Sequence, residues 1–336
     1  MKHDLEQSSY ILTNLLDNPC LYGSPSIDML SFTIPFSESA TKSLYRLQQI
    51  RTADRQYKLK QLTNDEVGSH KYRKCITATF SNGAYFSIYL FGLNERQNRV
   101  RVQFNPNTVG LANAVAVFND IRQIIGKSDY DMCISNSKIT RVDYTLDIPN
   151  LAFEHLIVDY AYRTTYQSFI DDVTCLYNGM QYGAGNGCPV KFYDKAFEQG
   201  GMFNGYSQYT RLEKLHKPNA RGRKSMFRLS ELHTQKYAFQ GVTFYDPLIL
   251  NGMPKSVFEL IRREGLGKAI YLLTDNNRRI LERRLRKYKL QASTDFKKQL
   301  IKRYREKLYE LQNLIATPHR FADRKRIAPT IIRENS

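Results

Sequence analysis

A phenol is a weak nucleophile at neutral pH because its ordinary pKa is about 10. A tyrosine that does chemistry therefore needs cations or a base beside it. The stretch VKFYDK (Val190 to Lys195) offers such a setting, because residues two apart on a strand share a face. Val190 and Phe192 take one side, and Lys191, Tyr193 and Lys195 take the other. In YTRLEKLH, Arg211 and Glu213 lie together opposite Leu212, and in RVDYTLDI, Arg141, Asp143, Thr145 and Asp147 lie opposite Val142, Tyr144, Leu146 and Ile148. If the three strands are neighbours, one polar face carries Asp143, Glu213, Tyr193, Lys191, Lys195 and Arg211.

Two carboxylates from adjacent strands, Asp143 and Glu213, suit a hard divalent cation such as Mg²⁺ or Mn²⁺, which accepts oxygen ligands and polarises a phosphoryl oxygen. Asp143 and Asp147 share the face but stand about 13 Å apart on a regular strand, too far to ligate one ion together. Lys191, Lys195 and Arg211 would favour the phenolate and stabilise charge on a pentacovalent phosphorus. The combination fits a tyrosine attacking a DNA phosphodiester. Each residue alone has an ordinary reading, an ion pair on a solvated face or a tyrosine at a sheet rim.

The surrounding elements read as an α+β fold with a central antiparallel sheet, helices packed on one face and a basic helical region after it. SIDMLSFTIPF (Ser26 to Phe36), KCITATF, AYFSIYLF and NRVRVQF have strand character, and SNGA (Ser81 to Ala84) is a hairpin turn between two of them. TVGLANAVAVFNDIRQII (Thr108 to Ile125) is helical with Gly126 as its stop. Then come a strand at Lys138 to Ile148, a helix over about Ala152 to Arg163, and strands at Val173 to Asn178, Pro189 to Asp194 and Tyr206 to His216. We expect an N-terminal arm over 1–25, a catalytic domain over 26–250, a basic helical region over 251–320 and a flexible tail over 321–336. In Asp295 to Ile315 the apolar stripe is Phe296, Leu300, Ile301, Leu308, Leu311 and Leu314.

The 336 residues carry a formal charge of +18 and 42% hydrophobic residues, which gives a real core and a strong attraction for polyanions. Candidate DNA contacts are Lys191 on the strand VKFYDK, Arg221, Arg223 and Lys224 in the basic loop HKPNARGRK, and Arg283, Arg284, Lys287, Lys297 and Lys298 in the helical region. The five cysteines form no C-x-x-C pair, no His-x-His pair exists, and no apolar run is long enough for a membrane span. The expected location is the cytoplasm. YGAGNG (Tyr182 to Gly187) reads as a hairpin turn or a backbone approach to phosphate.

ITRVDYTLDI, YGAGNGCPVKFYDKAFEQ and YTRLEKLHKP, in that order, resemble the T-R-x-D, x-Y-D-K and R-x-E strands of rolling-circle replication initiators of small plasmids and filamentous phages. IDMLSFTIPF is similar to the start of the phage members, so the resemblance covers about Ile27 to Pro218. It implies a metal-dependent enzyme that nicks and rejoins one DNA strand at a replication origin in a bacterial host cytoplasm. A tyrosine would become linked to a 5′-phosphate and leave a 3′-hydroxyl as primer. Residue by residue, the motifs place the metal ligands at Asp143 and Glu213 and the nucleophile at Tyr193, with Tyr177 and Tyr182 as alternatives. The absence of His-x-His puts the chain with an acidic-ligand branch. The implied partners are origin DNA, single-stranded or supercoiled, and a host helicase; a homodimer is a further expectation. Two competing readings are a non-catalytic origin-binding initiator or regulator and an RNA-binding protein that stacks bases on the tyrosine-rich sheet.

Overall fold

The computed structural model describes residues 2–92, 100–161, 165–174, 176–183, 188–217, 228–234, 238–292 and 294–320. Its strands are β1 (Ser24–Ile34), β2 (Arg55–Gln61), β3 (Tyr72–Phe80), β4 (Tyr85–Gly92), β5 (Val100–Phe104), β6 (Lys138–Pro149), β7 (Ile157–Tyr160), β8 (Tyr166–Ile170), β9 (Tyr177–Tyr182), β10 (Val190–Asp194), β11 (Tyr209–His216), β12 (Val242–Tyr245) and β13 (Lys289–Leu290). The architecture is α+β with a large antiparallel sheet and several helices, as the sequence pattern requires.

Two compact units divide the chain. The meander unit holds residues 27–142, 223–235 and 305–336, and its strands run in the order β2, β3, β4, β5, β1 and the first part of β6. The β3–β4 turn forms at Asn-Gly as expected. Gly83 takes φ +77, a region nearly closed to other residues, while the Asn82 carboxamide accepts the Ala84 N–H at 3.0 Å. Behind the meander, the helix Leu111–Ile125 inserts Phe118 among the rings of Phe32, Phe86 and Phe104. The same helix buries Asp120, which accepts hydrogen bonds from Arg55 at 2.8 and 2.9 Å and from the Tyr57 hydroxyl at 2.6 Å. That network fastens edge strand β2 to the helix.

The site unit holds residues 1–26, 143–222 and 236–304, with the strand order β6 (second part), β11, β10, β9, β8. Its core face carries Val190, Phe192 and Leu212, all fully buried. A separate apolar core joins Leu5 and Ile157 to Val257, Ile261, Leu266, Ala269, Leu281 and Leu285 of the helices Lys255–Glu264, Leu266–Leu272 and Asp275–Lys287. A small sheet, β13, β12 and β7, belongs to the same unit.

Three local expectations change. Residues 2–17, expected within an arm, form a helix that buries Leu5, Leu12, Leu15 and Leu16, because those residues recur at helical spacing. The helix expected over 152–163 is a single turn at Phe153–His155 followed by β7, since Ile157, Val158 and Tyr160 pair with β12 about eighty-five residues later. The strand expected from Val173 begins only at Tyr177. Asp171 accepts the N–H groups of Val173 and Thr174 and closes a turn there, leaving Val173 89% exposed. The stripe in the helix Thr294–Ala316 is buried at Phe296, Leu300, Leu308, Leu311 and Leu314, with Ile301 only partly covered and Tyr304 added: its hydroxyl donates to the Thr145 carbonyl at 2.7 Å, and its ring packs edge-on against Tyr144.

β6 and β11 are tied by a bidentate pair. Arg211 donates from Nε and Nη2 to the two Asp147 oxygens at 2.5 and 2.7 Å, with side chains only 6% and 8% exposed. Removing one partner leaves the other charged and buried. Asp147→Asn or Arg211→Met is therefore expected to destabilise the protein by about 3–5 kcal/mol, read from the midpoint of urea unfolding. A change within about 0.5 kcal/mol, the level of an ordinary surface substitution, would show that the pair does not fasten these strands.

Candidate functional site

Alternation on β10 sends Tyr193 to the face opposite Phe192, and the antiparallel register with β11 sets Tyr193 against Arg211 and Lys191 against Glu213. The Tyr193 hydroxyl donates to Glu213 Oε2 at 3.2 Å. Lys191, Tyr193 and Glu213 line a pocket of about 360 Å³ with Phe169, Asn178, Asp194, Phe197 and Glu198. Lys191, Tyr193 and Glu213 of the expected face thus share one pocket, whereas Lys195 lies past the end of β10, where the chain has turned into the helix Lys195–Glu198.

Gly179 on β9 explains how the phenol fits. A Cβ there would lie 2.7 Å from the Phe169 ring and 3.0 Å from Tyr193 Cβ. The missing side chain lets Phe169 close one wall of the pocket against Tyr193. Over the other side, Asp194 caps the short helix Lys195–Glu198 by accepting the Phe197 N–H at 2.9 Å, and the following loop folds back. Phe203 from that loop covers Arg211 at 5.7 Å and Lys195 at 5.5 Å, each measured to the ring centroid. Sequence reading missed Gly179, Phe169 and Phe203. Gly179 interrupts a strand pattern, which is a signal of close backbone approach, whereas nothing in the sequence marks the two phenylalanines.

The electrostatics differ from the expected cationic cradle. Arg211 is paired with Asp147, and Lys195 is ion-paired with Glu198 while lying over the Tyr193 ring. Lys191 makes no hydrogen bond or ion pair among the described residues, and it lines the pocket. The Tyr193 phenol is held above its ordinary value, first by burial and then by the neighbouring Glu213 carboxylate, with Arg211 opposing both. At rest this tyrosine is a neutral hydrogen-bond donor.

Asp143 is 3% exposed on β6. The Asn150 N–H donates to the Gln208 carbonyl at 2.9 Å, and Arg211 faces Asp147; continuing that antiparallel register sets Glu213 beside Thr145, with Asp143 two residues along the same face. Among the described residues no three His, Cys, Asp or Glu side chains gather as a metal site. Two carboxylates are nonetheless the donor set with which Mg²⁺ is commonly held, the remaining positions being water and substrate phosphate.

The other two tyrosines stand elsewhere. Tyr182 faces the core, its ring against Phe192 and its hydroxyl on the Val158 carbonyl at 2.9 Å, and burial pushes its pKa well up. Such a side chain is structural. Tyr177 sits at the start of β9 opposite Ile170, where the β8–β9 register shifts.

Of the expected DNA contacts, Arg221, Arg223 and Lys224 lie outside the described residues, as do residues 184–187 of the glycine loop and the tail 321–336. Arg283 and Lys287 are exposed and line a shallow surface pocket of about 580 Å³ with Arg279, Glu282 and Arg286. Arg284 instead donates to the carbonyls of Ile249 and Asn251 at 2.8 and 2.5 Å, tying its helix to the preceding loop. Arg278 caps the end of the helix Leu266–Leu272 through the carbonyls of Ile270, Tyr271 and Leu273. Lys297 and Lys298 are both exposed, and Lys298 lies 3.7 Å from Asp295. No helix among the described residues is long and apolar enough to cross a membrane.

No protein-family model matches the chain, and no curated protein matches it in sequence. Among solved structures, the chain is similar to a rolling circle replication initiator protein from Geobacillus stearothermophilus, with a TM-score of 0.37 and 11% sequence identity over 66% of this chain and 87% of that one.

Proposed function

We propose that this protein is a replication initiator that nicks and rejoins one DNA strand at a replication origin and so starts rolling-circle replication in a bacterial host cytoplasm. The observation that carries the reading is the placement of Tyr193. It stands on the polar face of the sheet, hydrogen-bonded to Glu213, in a pocket that also holds Lys191, which has no ion-pair partner among the described residues. The three sequence motifs that resemble the initiators supply β10, β11 and, from Asp143 on, the part of β6 that belongs to the same unit.

In the proposed reaction the Tyr193 oxygen bonds to phosphorus and the P–O3′ bond breaks. The phenolic proton leaves to solvent ahead of attack, the 3′-oxygen takes up a proton from solvent, and the 5′-phosphate stays on the tyrosine. Attack by a 3′-hydroxyl reverses these steps and reseals the strand. Lys191 meets the phosphate charge. Arg211 holds Asp147 and Phe203 in place and offsets part of the Glu213 field on the phenol. Asp143 and Glu213 would hold Mg²⁺ or Mn²⁺, which when bound supplies a Lewis acid for the phosphoryl oxygen.

A specific observation favours a second reading, a non-catalytic initiator or regulator that binds the origin and recruits host enzymes. Two of the three expected activating cations are already neutralised by Asp147 and Glu198.

The readings separate in one assay. Incubated with Mn²⁺ or Mg²⁺ and a supercoiled plasmid carrying its origin, the protein is expected to form a covalent adduct at Tyr193, seen as a nucleotide mass on that peptide, and Tyr193→Phe is expected to form none. No adduct with any metal supports the second reading, and full adduct formation by Tyr193→Phe moves the nucleophile elsewhere. The single-turnover nicking rate should also keep rising from pH 6 to pH 9, because a phenol held above about 10 gains phenolate tenfold per unit throughout that range. A profile already flat by pH 7 would contradict rate-limiting loss of the Tyr193 proton. For duplex binding, Arg283→Ala and Lys287→Ala should each reduce the salt-dependence slope by about 0.9; unchanged slopes would remove this helix from the DNA contact.

A further inference from the structure

A second polar face lies on the meander unit, most of it covered: Ser31 is 0%, Cys75 5%, Ser87 6% and Tyr89 7% exposed, and Leu62, Tyr72 and Val67 cluster with Cys75 and Tyr89. There Phe86, Ile88 and Leu90 of β4 face the core, so Tyr85, Ser87 and Tyr89 face the other way. Cross-strand register extends this surface in rows. Thr77, Ser87, Gln103 and Ser31 form one row, and Cys75, Tyr89, Arg101 and Thr33 form the next. Neither row contains a carboxylate.

Arg101 is partly buried in the middle of that surface. Its Nε donates to Ser31 Oγ at 3.0 Å, its Nη2 donates to the Gln103 side chain, and its guanidinium lies 5.2 Å from the Tyr89 ring centroid. Thr140 holds Ser31 from β6 at 3.0 Å, and His70 and Tyr72 pack on Tyr89 at 4.7 and 5.9 Å between centroids. Every partner of Arg101 among the described residues is neutral, and its remaining terminal nitrogen makes no hydrogen bond there. This contrasts with Arg55, which is paired with Asp120, and Arg211, which is paired with Asp147. Burial and the field of Arg141 draw the Arg101 pKa down, the direction of a cation without a counter-charge. An arginine fixed in this way, with its fork oriented by neutral side chains, is an anion receptor.

We propose that Arg101, framed by Ser31, Gln103 and Tyr89, binds a backbone phosphate of a single-stranded nucleic acid through its remaining terminal nitrogen. The strand is favoured over a lone phosphate because Tyr85, four residues from Tyr89 and so about 13 Å along β4, is 60% exposed and offers a ring on which a base can stack. This site is independent of any chemistry at Tyr193.

The test measures anisotropy of a labelled oligo-dT of about twenty nucleotides against full-length protein without metal. Arg101→Gln is expected to weaken binding about five- to tenfold, to reduce the salt slope by about 0.7, and to leave the melting temperature unchanged or higher. Gln103→Glu, which keeps Arg101 but gives it a carboxylate, should weaken binding similarly, and Arg101→Lys should retain part of it. Unchanged oligo-dT affinity in both Arg101→Gln and Gln103→Glu overturns the proposal. So does a lower melting temperature in Arg101→Gln with normal binding by Gln103→Glu, since Arg101 would then be structural. If inorganic phosphate raises the melting temperature of the parent but not of Arg101→Gln, while oligo-dT affinity is the same in both, the receptor is for small anions and the nucleic-acid assignment falls. Loss of nicking with oligo-dT binding intact would count against the Tyr193 reading alone.

Discussion

A slip of β10 by one residue against its neighbours would turn Phe192 into the pocket and Tyr193 into the core, and with it every property of the polar face would be lost. The register is therefore the condition on which the candidate site rests. It is over-determined. Phe192 and Leu212 are cross-strand partners and fully buried, so a slip exposes both. Gly179 stands opposite Tyr193, where any side chain would collide with Tyr193 and Phe169. The Arg211–Asp147 fork fixes β11 against β6 with a directionality that apolar packing lacks. Burial selects the face, and the ion pair selects the position along it.

The same register decides the electrostatics. Because Arg211 is held by Asp147 and Lys195 by Glu198, Glu213 is left to act on the Tyr193 phenol, and the phenol stays protonated. The overall charge of +18 is thus not a charge of the pocket. Such a charge attracts polyanions from a distance, while the groups around the pocket keep its tyrosine neutral. A cation at Glu213 and Asp143 would remove the second-largest cause of the raised phenol pKa, and Lys191 would meet the incoming phosphate. In the proposed reaction, activation on binding would avoid keeping an ionised tyrosine on a buried face.

Strand alternation and short motifs carry information that survives without coordinates. They were enough to place Tyr193, Glu213 and Lys191 on one face and Phe192 and Leu212 on the other, and enough for the Asn82-Gly83 hairpin. Pairing between distant segments is another matter. That Ile157–Tyr160 is a strand depends on β12, and that Arg211 pairs with Asp147 rather than with Glu213 two residues away depends on the β6–β11 register. Ion-pair partners on a sheet face are decided by distances of a few ångströms across strands, which spacing along one strand does not encode. The same holds for Arg284, which by type and place in the basic run resembles Arg283 but folds back onto two carbonyls.

Counter-charge, rather than charge, is what distinguishes the arginines of this protein. Arg55 and Arg211 are each forked onto one buried carboxylate, and each joins a strand to a neighbouring element. Removing either would leave an acid stranded, so their geometry is explained by stability alone. Arg101 is oriented with equal care, by Ser31, Gln103 and Tyr89, yet no acid within the described residues requires it. Folding gains little from partly burying an unneutralised guanidinium. A cation held rigidly against its own solvation preference has its compensation outside the chain, and for a protein of this net charge the most abundant compensating group is a phosphate.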